Sequence, residues 1–213
     1  MSAGDKRTDR LDDAAHAQVV PTEEAVSDDI VARTTLRWKL TNAQHQTYGG
    51  CEWWQGVTHE ASGEGELCGP GWIHVYTSPR LAVLLNPIHA NFGDPVLWRV
   101  ECCGEVKTNH RLKEGWTRVT TIKIVKAPVY SHEQRIAFAI WCAAQLCCDP
   151  AWSAWADGWI SGQDRTLEAA WSAGSAVGSA EAWGEAAWAA AWAAGAGPLD
   201  LDAIALRALE WQP

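Results

Sequence analysis

The last third of the chain limits its fold most. Trp152, Trp155, Trp159, Trp171, Trp183, Trp188 and Trp192 are spread through an alanine-rich tract in which no lysine occurs. Tryptophan brings a large apolar area with one polar N–H, and alanine favours helix and lets backbones approach closely. Such a tract reads as helices that another surface must cover. The segment before it has a different grammar, with short alternating runs and β-branched clusters, so the chain divides into a strand-bearing part and a helical part.

Residues 1–32 are polar and acidic, with Pro21 and only scattered apolar side chains, which predicts a disordered acidic arm. Leu36, Trp38 and Leu40 alternate with Arg37 and Lys39, the period of a strand with one buried face. A glycine-rich connection follows, and then Trp72 to Thr77 is able to extend, with Trp72, His74 and Tyr76 on one face and Ile73 and Val75 on the other. Ser78 before Pro79 is a helix start, Leu81, Leu84, Leu85 and Ile88 supply its apolar stripe, and Asn86 with Pro87 is expected to end it. Val96 to Cys102 and Val119 to Val125 read as two further strands. From Ser131 the period becomes helical, Ser131 and Gln134 having the spacing of a capping box. Asp149 and Pro150 start the next helix, Gly162 ends it, a longer one is expected from Asp164 toward Ala194, and a last one carries Leu201, Ile204, Ala205, Ala208 and Leu209 on one stripe. The expectation is an α+β fold: a small mixed sheet domain over residues 33–130, followed by an Ala/Trp-rich helical region over 131–213.

The formal net charge of −9 is unevenly distributed. Residues 33–126 carry eleven basic and eight acidic side chains, whereas 150–213 carry two and eight. The acidic tail argues against nucleic acid as its partner. Seven cysteines, with no CxxC among them, do not suggest a disulfide framework. The charged start has no apolar signal core, and the longest uncharged stretch of the tail falls short of the ~20 residues of a membrane span. A cytoplasmic protein without a membrane segment is expected.

Four groups of residues are candidates for chemistry. His74, Tyr76, Asn86, His89 and Asn91, with Asp94, are polar groups dense enough to line a small-ligand pocket, with Trp54 or a neighbouring tryptophan stacking on a base. Turn hydrogen bonding and packed, satisfied histidines are the alternative for the same residues. Cys51, His59, Cys68 and His74 are zinc-ligand types, but their spacing does not form knuckles, and no metal or cofactor is expected. An ADP-ribosyltransferase-like reading has His74 and Tyr76 holding a nicotinamide nucleotide and Glu101 or Glu105 polarising a ribose hydroxyl. The basic run Lys107, His110, Arg111, Lys113, Arg118, Lys123 and Lys126 is interrupted by Glu114 and has the pattern of the wet side of a hairpin. In the tail, Trp188 and Trp192 share a helical face that Trp171 and Trp183 do not. These four rings are the candidate interface, either toward a second copy or a host protein, or folded back on the chain itself.

The stretch CGPGWIHVYTSPRLAVLLNPIHANFGDPVLWRVE, with the later EQRIAFAI, DPAW and GQDRT, resembles a group of phage and prophage-type proteins in which a small α+β domain precedes an Ala/Trp-rich helical tail. The resemblance implies no reaction, and no catalytic residue is carried over from it. Family tails of this kind are often rich in arginine, and this one is acidic. The expected function is that of a phage or mobile-element accessory protein acting by binding, in the host cytoplasm, in a role such as counter-defence. The alternative is a nucleotide-binding pocket that either sequesters its ligand or acts on it.

Overall fold

The computed structural model describes residues 34–109, 113–145, 149–166, 168 and 200–213. The chain is α+β as expected, built on a curled antiparallel sheet. Its strands are β1 (Thr35–Thr41), β2 (Gln46–Thr47), β3 (Cys51–Glu52), β4 (Thr58–Glu60), β5 (Ile73–Val75), β6 (Val96–Asn109) and β7 (Lys113–Val125), and β2 and β3 pair only with each other. The hairpin of β6 and β7 is the spine. β1 lies along β6, whereas β4 and β5 share β7, opposite Thr120 to Arg118 and Trp116 to Glu114 respectively. The sheet then curls back on itself, because Tyr76 just beyond β5 exchanges backbone hydrogen bonds of 2.7 and 3.1 Å with Trp38 on β1. Every pairing described is antiparallel, which corrects the expectation of a mixed sheet. The α-helix at Pro79–His89 joins β5 to β6, two strands that run the same way but are kept apart by β7, to which each pairs antiparallel.

The spine bends where its register shifts between Cys103 and Val106. Gly104 sits there at φ 85°, and a Cβ on it would lie 2.3 Å from Thr117 Oγ1, which accepts a hydrogen bond from the Glu105 N–H at 2.9 Å. Only glycine fits this bulge, and the bulge supplies twist that a curled sheet requires.

Period-two alternation divides the side chains of the sheet between two cores. Trp53, Val75, Trp98, Val100, Cys102, Trp116 and Val119 fill the concave interior. Leu40, Tyr76 and Leu97 face outward, against helices α1 (Pro79–His89), α2 (His132–Ala143), α3 (Pro150–Ser161) and α4 (Leu201–Glu210). Residues 32–213 form one unit, and the described helices share this second core with the sheet.

The helix starts follow their caps. Ser78 Oγ accepts from the Leu81 N–H at 3.1 Å, Ser131 and Gln134 form a reciprocal capping box, and Asp149 and Asp200 cap α3 and α4. Gly162 closes α3 in the left-handed conformation, at φ 78°. One boundary differs from expectation, since α1 runs through Pro87 to His89. Proline leaves the carbonyl four residues back without its helical donor. That carbonyl, Val83 O, accepts from Arg135 Nη1 of α2 at 3.4 Å. The end of α1 is then tied by Asn86, whose side chain donates to Phe92 O at 2.9 Å and accepts from the Phe92 N–H at 3.2 Å.

Helix α4 is fastened at both ends. Arg80 at the start of α1 holds Asp202 through two hydrogen bonds, one of them 3.0 Å long from Nε. Gln134 Nε2 donates to Leu209 O and Trp211 O at 2.9 and 3.0 Å, and Tyr130 Oη donates to Ala205 O at 3.0 Å. Arg207, Trp141, Trp211, Trp159 and Arg165 touch in sequence, joining α2, α3 and α4, with Arg207 4.0 Å from the Trp141 ring, Trp211 edge-on to Trp141 at 6.0 Å and tilted against Trp159 at 5.8 Å. Within the described tail, therefore, Trp155 and Trp159 are buried by the chain itself. The candidate interface rings Trp171, Trp183, Trp188 and Trp192, and the helix expected from Asp164 toward Ala194, lie largely outside the described residues, as does the acidic arm.

Candidate functional site

Strand β5 directs His74 and Tyr76 to its outer face, and the last turn of α1 sets His89 against them. The Tyr76 and His89 rings are stacked at 5.8 Å with 15° between their planes. His74 Nε2 donates to Leu67 O, which leaves Nδ1 of that ring as an acceptor. Burial lowers the affinity of both histidines for a proton, His89 to a pKa of about 4, and the charge of Lys113 lowers it further. Tyr76 is held protonated by burial. The result is two neutral imidazoles beside a phenol, and His89 Nδ1 is buried without a hydrogen-bond partner among the described residues.

The other members of the expected pocket are placed differently. Asn86 spends its side chain on Phe92, and Asn91 turns the chain at φ 51° with its N–H on Asn86 O. These are the turn roles weighed as the alternative. Trp54 does not join His74. It packs on His45 at 4.5 Å, and His45 packs in turn on Trp98 of the concave core, so Trp54 belongs to the opposite side of the sheet. Glu101 and Glu105 are exposed on β6, Glu105 within the bulge. Three of the described basic residues are spent locally: Lys107 meets Glu66 at 3.5 Å, Arg118 meets Glu60 at 3.5 Å, and Lys113 donates to Cys68 Sγ at 3.2 Å.

Inside the curl lies a polar group that sequence patterning left out. Lys39 alternates with Trp38 and Leu40, so when those two pack against the helices it must enter the concave side, where it is 6% exposed. Its Nζ donates to His74 O at 3.1 Å and sits 4.2 Å from the Trp53 ring centroid. Burial pulls its pKa down to about 8, against the opposing influence of the nearby Cys51 and Cys102 thiols. Arg37 beside it pairs with Glu114 at 2.7 and 3.0 Å, and Glu114 also accepts from Trp116 Nε1 at 2.8 Å. The Trp53 ring also meets the ring of His59, 4.3 Å away and tilted by 54°, and His59 stands against Cys51. Of the four residues considered for zinc, the structure thus brings together Cys51 and His59, while Cys68 meets Lys113. No group of three or more metal-ligating side chains occurs among the described residues.

On the helical side, an open groove of about 440 Å³ is lined by Pro79 and Arg80 of α1, Lys126 to Val129 of the connection after β7, and Leu209 of α4. Val129 is 78% exposed at its edge. Arg80 is already paired with Asp202, so Lys126 brings the groove its uncompensated charge among the described residues. None of the expected pocket residues lines it. Sequence reading missed this groove because it forms only when α4 docks beside the connection, from 75 residues further along the chain at the Tyr130 to Ala205 contact.

No helix among the described residues is long and apolar enough to cross a membrane. Comparison of the chain with protein-family models, curated proteins and solved structures finds no match.

Proposed function

We propose that this is a binding protein of the phage or mobile-element accessory kind, which assembles with a second copy of itself. The observation that carries this reading is the open groove between α1, the Lys126 to Val129 connection and α4, apolar along its length and basic at Lys126. Its occupant is the tryptophan- and alanine-rich segment of the second copy. Residues 167–199 include Trp171, Trp183, Trp188 and Trp192, and their charged side chains are Glu168, Glu181 and Glu185, with no basic residue. Large aromatic anchors entering an apolar recess, with opposite charge at its rim, give affinity from the rings and orientation from the charges. The resemblance to phage and prophage-type proteins supports an accessory role, in which the assembled form interferes with a host process.

Sedimentation velocity tests this reading. The wild type is expected to sediment as a dimer or higher assembly at micromolar concentration. Lys126→Glu, and separately the pair Trp188→Ala and Trp192→Ala, shift it to monomer. A monomeric wild type, with the segment seated on its own chain, overturns the reading. So does a wild type that assembles only when a host protein is added.

A nucleotide-sized ligand at His74, Tyr76 and His89 is the second reading, favoured by the unpartnered His89 Nδ1 beside the Tyr76 stack. Equilibrium dialysis against labelled NAD and ATP tests it, and it requires binding that His89→Leu removes.

A further inference from the structure

The concave side of the sheet brings a thiol, an imidazole and a buried ammonium together at one edge. Cys51 on β3 and His59 on β4 do not belong to paired strands. They meet because β3 is held by β2 at the end of β1, and β4 by β7. Cys51 Sγ lies 3.7 Å from His59 Nδ1 and 3.6 Å from Nε2. His59 Nε2 is also 2.7 Å from Glu52 O, a carbonyl that can only accept. The proton of the neutral ring therefore resides on Nε2, so Nδ1 is the basic nitrogen, and the Cys51 sulfur lies over the ring at nearly equal distance from both. A nucleophile, a basic nitrogen 3.7 Å from it and a carbonyl that fixes the ring thus occur together, and a small turn of the thiol about its side-chain bonds brings it to Nδ1. On the same side of the sheet the Lys39 ammonium is fixed between His74 O and the Trp53 ring. Cys51 and His59 are both partly open to solvent, so a small molecule reaches them.

The other described thiols lack this arrangement. Cys102 and Cys142 are buried, and burial pushes both up to about 12, which keeps them protonated and unreactive. Cys103 is partly exposed on β6 with no imidazole among the contacts described, and Cys68 is exposed and has Lys113 for company but again no imidazole. It is the natural internal comparison.

We propose that Cys51, with His59 as its base, is a modification site that exchanges with low-molecular-weight disulfides. In this step the Cys51 S–H proton passes to His59 Nδ1, and the thiolate attacks one sulfur of a disulfide RSSR. The new Sγ–S bond forms as the S–S bond breaks, and the departing RS⁻ takes the proton back from the imidazolium. Cys51 ends as a mixed disulfide and one molecule of RSH is released. The disulfide is the only oxidant required, and His59 finishes in its starting state. Trp53 and Lys39 form the inner wall of the site, so the adduct projects toward solvent from β3.

The test uses the full-length chain with two probes, 5,5′-dithiobis(2-nitrobenzoic acid) and glutathione disulfide. Each is followed by the rate of thiol release and by peptide mapping of the labelled cysteine. Cys51 is expected to be labelled first in the native protein, about 100-fold faster than the same cysteine in urea, the lower end of what a positioned base contributes. His59→Gln, which retains an N–H for Glu52 O but provides no base, is expected to remove that advantage. Cys51→Ser removes the first phase altogether. First labelling at Cys68 overturns the proposal, as does a native Cys51 rate no higher than its rate in urea. An unchanged rate in a His59→Gln variant with native far-ultraviolet circular dichroism also overturns it. The comparison of native and urea rates in the wild type holds whether or not a variant folds.

Discussion

Replacing Lys39 by methionine should stabilise the protein at neutral pH, although it removes a hydrogen bond and a cation from the centre of the fold. Lys39 is enclosed by the curled sheet, and its pKa falls from 10.5 to about 8 with burial as the leading cause. At 1.36 kcal/mol per pH unit, keeping the ammonium inside the fold at pH 7 costs about 3 kcal/mol relative to the unfolded chain. Methionine has similar reach and makes a favourable sulfur contact with the Trp53 ring. Against that gain stand the hydrogen bond to His74 O, worth about 1 kcal/mol, and the attraction to Trp53, worth about 0.5–1 kcal/mol. The net expectation is a variant more stable by about 1–2 kcal/mol at pH 7. The pH dependence follows from the sign of the displacement. Between pH 8 and 10.5 the unfolded chain holds a proton on Lys39 that the folded chain has released, so wild-type stability from this group rises with pH across that window. The advantage of the variant should therefore shrink by about 3 kcal/mol and vanish or reverse by pH 10.5. Cys102 and Cys142, both pushed up to about 12, act in the opposite direction above pH 9; losing Lys39 raises Cys102 further, so both thiols stay protonated in either fold through pH 10 and their effect cancels in the difference. The difference between the two urea unfolding curves, followed by tryptophan fluorescence at pH 7, 8, 9 and 10, thus isolates Lys39. A methionine variant less stable than wild type at pH 7, or a difference that does not change with pH, would refute the reasoning.

Two further perturbations test other parts of the account. His89 has a pKa of about 4 in the fold, so below pH 6.5 the unfolded chain takes up its proton first; stability should fall by about 2 kcal/mol between pH 6.5 and 4, and His89→Phe, which keeps a ring against Tyr76, should reduce the fall, with the lowered pKa of His74 supplying what remains in a urea titration at pH 7 and 4.5. Trp211→Ala removes the ring that joins Trp141 to Trp159 and receives Arg165, and should cost about 3 kcal/mol in chemical denaturation, with Arg165→Ala costing less.

The parts of this fold that were legible in the sequence are those decided locally. Alternation marked β1, β5 and the spine, and the Ser78–Pro79, Ser131–Gln134 and Asp149–Pro150 pairs marked three helix starts, because a cap or a strand period acts within a few residues. The end of α1 was not legible. Its continuation through Pro87 depends on Arg135, 52 residues away, satisfying Val83 O. The same limit governs the sites. Period two put His74 and Tyr76 on one face, but which side of the sheet Trp54 joins depends on His45 and Trp98, and thus on the path of the β1 to β3 loop. Lys39 reads as a wet-face residue beside Trp38 and Leu40. It becomes an interior cation only because the sheet closes between Tyr76 and Trp38. Cys51 and His59 were grouped by residue type as metal ligands, and the fold keeps these two together while sending Cys68 to Lys113.

The central claim is assembly through the groove, and native mass spectrometry on a mixture of ¹⁴N- and ¹⁵N-labelled full-length protein tests it most directly. Species of intermediate mass containing one copy of each label are expected, and they disappear when both copies carry Lys126→Glu. Monomer masses alone, at concentrations where the wild type is fully folded, would contradict it.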